Sequence, residues 1–151
     1  MTATISKNKK SNWTISDIPD LDGKTVFITG ANSGLGYYTA KALAEKNAHV
    51  LLACRSLEKA NSAIEKLKSL NPEGKFTPIE LDLSDLNNVS ETVSKISSEF
   101  ENLDLLINNA GIMHPPKTLS KQGFEIQFAV NHLAHMLLTK ITSSNRKERE
   151  L

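Results

Sequence analysis

The segment Thr29-Gly30-Ala31-Asn32-Ser33-Gly34-Leu35-Gly36 sets three glycines among small residues, between an apolar run and a helix-like stretch. Glycines let the chain turn tightly and bring its N–H groups close to a ligand, and a helix N-terminus favours negative charge. A turn of this kind between a strand and a helix suits a pyrophosphate. A glycine-rich connection without a ligand is the alternative, and the flanking strand and helix weigh against it. The spacing is G-x-x-x-G-x-G rather than the commoner G-x-G-x-x-G. A second candidate is Asn131, set among Phe128, Val130, Leu133, Leu137 and Leu138. A buried-side amide in such a helix needs partners and suits a polar site, although an ordinary satisfied interior amide would read the same way. His132 and His135 lie three apart and could face one metal, but no third ligand has sensible spacing, so helix packing is the better reading and no metal is expected.

These residues need elements to position them, and the sequence supplies an alternation of strand-like and helix-like segments. Strands are expected at 25–29, 49–53, 76–81 and 103–107, and helices at 34–46, 57–70, 85–100 and 120–140, the third capped near Ser84 or Asp85. The strand candidates are nearly continuous apolar runs, as expected where helices cover both faces of a parallel sheet joined by right-handed crossovers. The fold class is therefore α/β. Residues 1–22 read as an irregular leader, 23–141 as the nucleotide-binding unit and 142–151 as a polar tail.

Composition narrows the partners. Lys and Arg number 18 against 17 Asp and Glu, a formal charge of +1, so nothing draws this chain to a nucleic acid. No apolar stretch approaches the roughly 20 residues that cross a bilayer, and no basic-apolar-cleavage pattern opens the chain, so a cytoplasmic location is expected. With Cys54 as the single cysteine, no intramolecular disulfide can form.

Thr29 to Gly36, together with Asn108-Asn109-Ala110-Gly111 after the fourth strand, resembles the short-chain dehydrogenase/reductase family. Leu81-Asp82-Leu83 and Phe128-Ala129-Val130-Asn131-His132 extend the resemblance, which covers about Gly23 to Thr139. Ala53-Cys54-Arg55, Gly123 to Phe128 and Asn131-His132-Leu133-Ala134-His135 look most like the retinol dehydrogenase and protochlorophyllide reductase branch. The resemblance implies a Rossmann-like doubly wound parallel sheet, incomplete here, with about four strands in order 3-2-1-4. It implies Gly30, Ser33, Gly34, Leu35 and Gly36 around the pyrophosphate and adjacent ribose, and Asp82 with the backbone of Leu83 against adenine. Asn109, Ala110 and Gly111 would line the ribose and nicotinamide side. Asn131 would be the family's catalytic asparagine, which holds a water linking the catalytic lysine to solvent.

The end of the second strand chooses the cofactor, because an acid there accepts from a ribose 2′-hydroxyl whereas a cation accommodates a 2′-phosphate. Cys54-Arg55 has no carboxylate until Glu58, so NADP(H) is expected over NAD(H), with Arg55 on the phosphate and Lys59 as a helper one helical turn on. A solvated loop cation is the alternative for Arg55.

In the family a tyrosine protonates the substrate oxygen, aided by a lysine four residues later and a serine, all beyond the fifth strand. The only tyrosines here are Tyr37 and Tyr38. Tyr37 and Lys41 satisfy Y-x-x-x-K, but they belong to the helix after the phosphate turn and are a decoy. The expectation is thus the cofactor-binding half of an NADP(H)-dependent oxidoreductase, truncated before its proton donor and inactive alone. The alternatives are a non-catalytic nucleotide-binding or interaction module, forming a homo- or hetero-oligomer, and a gene remnant. The polar run from Thr142 suggests an altered frame or truncation, and the substrate cannot be read.

Overall fold

A computed structural model describes residues 13–149, with side chains through residue 143. The polar arm at 1–12 and the last two residues of the expected tail lie outside the described residues. Strands β1 (Thr25–Thr29), β2 (His49–Cys54), β3 (Lys75–Glu80) and β4 (Leu105–Ile107) form one parallel sheet in the order β3-β2-β1-β4. Alternate residues of the apolar runs enter two separate cores. Val26, Ile28, Val50 and Leu52 pack beneath α1 (Gly34–Ala44) and α2 (Leu57–Leu70). Phe27, Leu51 and Ala53 turn to the opposite face and meet α3 (Leu86–Glu99) and α5 (Ala134–Arg149). Burial on both faces is why these strands read as unbroken apolar stretches.

The two outer strands differ. β3 carries Pro78, in register with Leu52, and a proline without an N–H is tolerated on an edge strand. β4 pairs only with β1 and leaves Leu105 43% exposed. It is also shorter than expected, starting at Leu105 rather than Leu103. The Asp104 N–H still donates to Thr25 O at 2.9 Å, but the Thr25 N–H is taken at 2.9 Å by the Asp104 carboxylate, which also accepts the Lys24 ammonium at 2.9 Å, so a side chain replaces the next backbone acceptor of the ladder.

The last helical segment corrects another expectation. Residues 120–125 form a tight turn instead of helix, closed by the Ser120 N–H donating to Phe124 O at 2.8 Å and the Phe124 N–H donating to Ser120 Oγ at 3.1 Å. Gly123 adopts φ +83° there, a left-handed conformation that favours glycine. Helix begins only at α4 (Ile126–Phe128), where Glu125 caps it by accepting the Gln127 and Phe128 N–H groups at 2.9 and 2.7 Å. A π-helical turn, Ala129–Leu133, follows and leads into α5. The change to polar composition at Thr142 falls inside α5, which runs on to Arg149 without a glycine or proline to stop it. Within the expected irregular leader, Ile15–Asp17 form one 3-10 turn. No helix among the described residues is long and apolar enough to cross a membrane.

The turn at 120–125 is fastened to the start of α3. Asp85, the N-cap of that helix, accepts the Asn87 N–H at 3.0 Å, the Gln122 side-chain N–H at 2.9 Å and the Lys121 ammonium at 2.6 Å. Gln122 in turn accepts the Leu86 N–H at 3.1 Å, and the Lys121 N–H donates to Ser84 O at 3.1 Å. The Lys121 hydrogen bond, followed by that of Gln122, holds the Asp85 carboxyl down from 3.8 to about 2. A lowered folded-state value means stabilisation present above the unfolded pKa and lost as pH falls toward the folded one. Asp85→Asn keeps one capping oxygen and loses the charge. Its melting temperature should lie about 2–4 °C below that of the parent at pH 7, with the gap closing between about pH 4 and pH 2. Thermal melts across that range measure it, and a gap independent of pH would contradict the charged clasp.

Candidate functional site

All four strands run in one direction, so the residues that follow them gather along a single sheet edge. After β1 comes the glycine turn, after β2 Arg55, after β3 Asp82 and Leu83, and after β4 Asn109 to Gly111. The ladder carries on past the strand ends, with the Gly30 N–H donating to Ala53 O at 2.8 Å and the Leu81 N–H to Cys54 O at 3.0 Å. Gly30 has φ +66°, and a Cβ on it would lie 2.9 Å from Ala110 Cα. Ser33 precedes α1 as its N-cap without placing a side-chain oxygen on the helix. The first-turn N–H groups of α1 are thereby left to an external acceptor. Ser33, Gly34 and Leu35 are exposed, and Gly36 is buried against the turn itself.

Asn109 and Thr29 bind the two central strand ends together. The Thr29 hydroxyl accepts the N–H groups of Asn109 and Ala110, each at 2.9 Å. The Asn109 amide donates back to Thr29 O at 2.9 Å and Gly30 O at 3.3 Å. The residues expected on the pyrophosphate side and those expected on the nicotinamide side are therefore in direct contact. Gly111 lies next to Asn131, whose Oδ1 accepts the Ile112 N–H at 2.8 Å and whose Nδ2 donates to Ile112 O at 2.9 Å. Asn131 is thus exposed and clamped to the loop, where a buried-side amide was expected. The π-helical turn presents it on the open side of the helix.

The remaining candidates are placed more loosely. Arg55 is exposed just past β2, and no carboxylate among the described residues pairs with it. Lys59 is exposed in the first turn of α2, its N–H donating to Ser56 Oγ at 3.3 Å. Asp82 Oδ1 accepts from the Ser84 N–H and hydroxyl at 2.9 and 2.6 Å, and Leu83 is buried beside α3. Cys54, at the end of β2 and in contact through its backbone with Leu81, is a buried free cysteine whose thiol is pushed up by burial. Only its place at the end of the second strand, one residue before Arg55, could have drawn attention to it.

The two histidines diverge. His132 is exposed and stacks on Phe128 with ring centroids 5.2 Å apart, whereas His135 is buried and reaches Thr29. Tyr37 lies in the first turn of α1, partly buried against the α1–α2 core, and Lys41 pairs with Glu45 at 3.3 Å. An open cleft of about 450 Å³ runs beside the C-terminal end of β4, lined in part by Asn108, Asn131, His132 and His135.

The family described as short chain dehydrogenase matches residues 24–150. Retinol dehydrogenase 13 of Homo sapiens is 43% identical over 121 residues, 80% of this chain and 37% of the relative. Retinol dehydrogenase 11 of Mus musculus is 37% identical over 148 residues, 98% of this chain and 46% of the relative. The chain thus spans less than half the length of either. Among solved structures, an uncharacterized protein from Mycobacterium paratuberculosis superposes with a TM-score of 0.77 at 40% identity, covering 89% of this chain and 47% of the other. A 3-ketoacyl-(acyl-carrier-protein) reductase from Brucella melitensis, complexed with NADH, gives 0.69 at 30% identity, covering 85% and 52%.

The closeness of the glycine turn to Asn109 yields a direct test. A Cβ at Gly36 would fall 2.5 Å from both Asn109 Nδ2 and Gly30 O, so backbone must move. At Gly111 a Cβ meets nothing nearer than Asn131 Oδ1 at 3.5 Å. Gly36→Ala should cost about 1–3 kcal/mol in urea unfolding, and Gly111→Ala less than about 1 kcal/mol. Equal midpoints for the two variants would show that the turn is not packed as described.

Proposed function

The chain belongs to the short-chain dehydrogenase family, with retinol dehydrogenases among its relatives, and from that premise we propose that these residues form the dinucleotide-binding half of an NADP(H)-dependent oxidoreductase. The observation that carries this reading is the helix N-terminus at Ser33, free of a side-chain cap and facing the same sheet edge as Arg55 and Asn109. The residues present fit the group. Gly30 and Gly36 let the turn pack directly against Ala110 and Asn109, where a Cβ would collide, and the N–H groups of α1 supply donors for a diphosphate. Arg55 offers a guanidinium to a 2′-phosphate, with Lys59 adding positive charge one helical turn on. Asp82 and the backbone of Leu83 take the adenine side, and Asn109, Ala110 and Gly111 the ribose and nicotinamide side. The relative complexed with NADH supports a nicotinamide dinucleotide, and the preference for the 2′-phosphate rests on Arg55.

When bound, the dinucleotide supplies or accepts a hydride for a carbonyl, alcohol or activated double bond. Such transfer also needs a proton at the substrate oxygen. Tyr37 is committed to α1 and its core, so it stands on the nucleotide-binding helix and cannot serve the nicotinamide end. Asn131, clamped to Ile112 beside the open cleft, is the residue of this chain best placed to hold a water there. These 151 residues therefore bind cofactor without turning over substrate. A second reading is favoured by the exposed edge of β4, where Leu105 meets solvent. There the chain acts as an interaction module that pairs with another subunit.

Titration of the 151-residue chain with NADPH and NADH, followed by nucleotide fluorescence, tests the reading. Arg55→Ala should weaken NADPH about tenfold and NADH less than about twofold, as expected for loss of one charge-assisted contact. Retinal or other aldehydes with NADPH should show no oxidation of the nucleotide. Absence of NADPH binding by folded protein, or robust turnover, would overturn the assignment.

A further inference from the structure

We propose that His135 is a positioning residue for the nicotinamide-side wall, its Nε2 accepting the hydrogen bond that the Thr29 hydroxyl donates and so aiming both Thr29 lone pairs at the loop after β4. The inference rests on the dinucleotide reading for its functional meaning and on hydrogen-bond accounting for its geometry. A hydroxyl has one proton and two lone pairs. Thr29 Oγ1 accepts the N–H groups of Asn109 and Ala110 at 2.9 Å each, which uses both lone pairs. Its proton must go elsewhere. His135 Nε2 lies at 3.0 Å, against 3.5 Å for Ile107 O, the other acceptor in reach.

The far side of the ring leads to the same assignment independently. His135 Nδ1 faces Asn131 O at 3.3 Å, and a carbonyl can only accept, so Nδ1 carries the proton and Nε2 is bare. A doubly protonated ring would point Nε2–H at an oxygen with no lone pair left. Burial of His135, 7% exposed, disfavours that charged form as well. The ring thus spans from the carbonyl of Asn131 on the π-helical turn to the end of β1. Through Thr29 it sets the loop 109–110, and through Asn131 it meets the residue that clamps Ile112. Both walls of the proposed nicotinamide pocket are held by one imidazole.

The test separates this geometry from the cofactor reading. Two-bond 15N–1H correlation spectra of the free chain at pH 7 should show His135 as the neutral Nδ1–H tautomer. His135→Gln supplies an amide oxygen as acceptor in place of the ring nitrogen and should bind NADPH within about twofold of the parent. His135→Phe fills the space without an acceptor and should weaken NADPH about five- to tenfold and speed amide exchange at Asn109 and Ala110. Thr29→Val should show the same loss, and combining it with His135→Phe should add nothing. An Nε2–H tautomer, or a folded His135→Phe that binds and exchanges like the parent, would overturn the proposal. A parent chain with the assigned tautomer and slow exchange that ignores NADPH would sink the dinucleotide reading alone, and the latch itself would stand.

Discussion

The exchange between Thr29 and Asn109 is the constraint on which the site depends. At the ends of β1 and β4 the chain departs to opposite faces of the sheet, α1 to one side and the helix bearing Asn131 to the other. Backbone groups at such a divergence lose the ladder that satisfied them. Here a hydroxyl takes two N–H groups and a side-chain amide returns two bonds to Thr29 O and Gly30 O. The strands can therefore part without orphaned polar groups. In doubly wound sheets, the crevice at such a reversal is where ligands sit.

That exchange also explains the glycines at Gly30 and Gly36. A turn drawn this close to Asn109 and Ala110 leaves no volume for a Cβ at either position. The Gly30 N–H adds a tether by donating to Ala53 O at 2.8 Å, so β2 as well as β4 holds the turn. A turn held in this way is preorganised by its neighbours, and less ordering would be left for a ligand to impose.

What could be read from the chain and what could not divide along the range of the interactions. The four strands and the glycine turn rest on apolar runs and local spacing, the strand order on the family resemblance, and the structure has them. The late start of β4 depends on Asp104 reaching Thr25, 79 residues away in the chain, which no window around residue 103 contains. The tight turn at 120–125 has apolar and polar residues in helix-like proportion. Only the acceptor roles of Ser120 and Glu125, and the left-handed Gly123, separate it from a helical start. The exposure of Asn131 was illegible for a related reason. A π-helical turn changes which way a side chain faces without altering the apolar pattern that suggested burial.

The π-helical turn has a further consequence for how the parts are joined. In it the Ala134 N–H bonds Ala129 O, five residues back, which widens the helix at the point where Asn131 reaches sideways to Ile112. One turn on, His135 reaches inward to Thr29. Two polar side chains four residues apart would share one face of a regular helix and compete for the same surroundings. Here one is exposed on the loop and the other buried against β1, linked by the carbonyl of the first to the ring of the second. A single helical segment thereby registers the loop after β4 against the end of β1. Substitutions along it that preserve apolar pattern but relax the π-helical turn would disturb the loop after β4 from the side opposite the glycine turn.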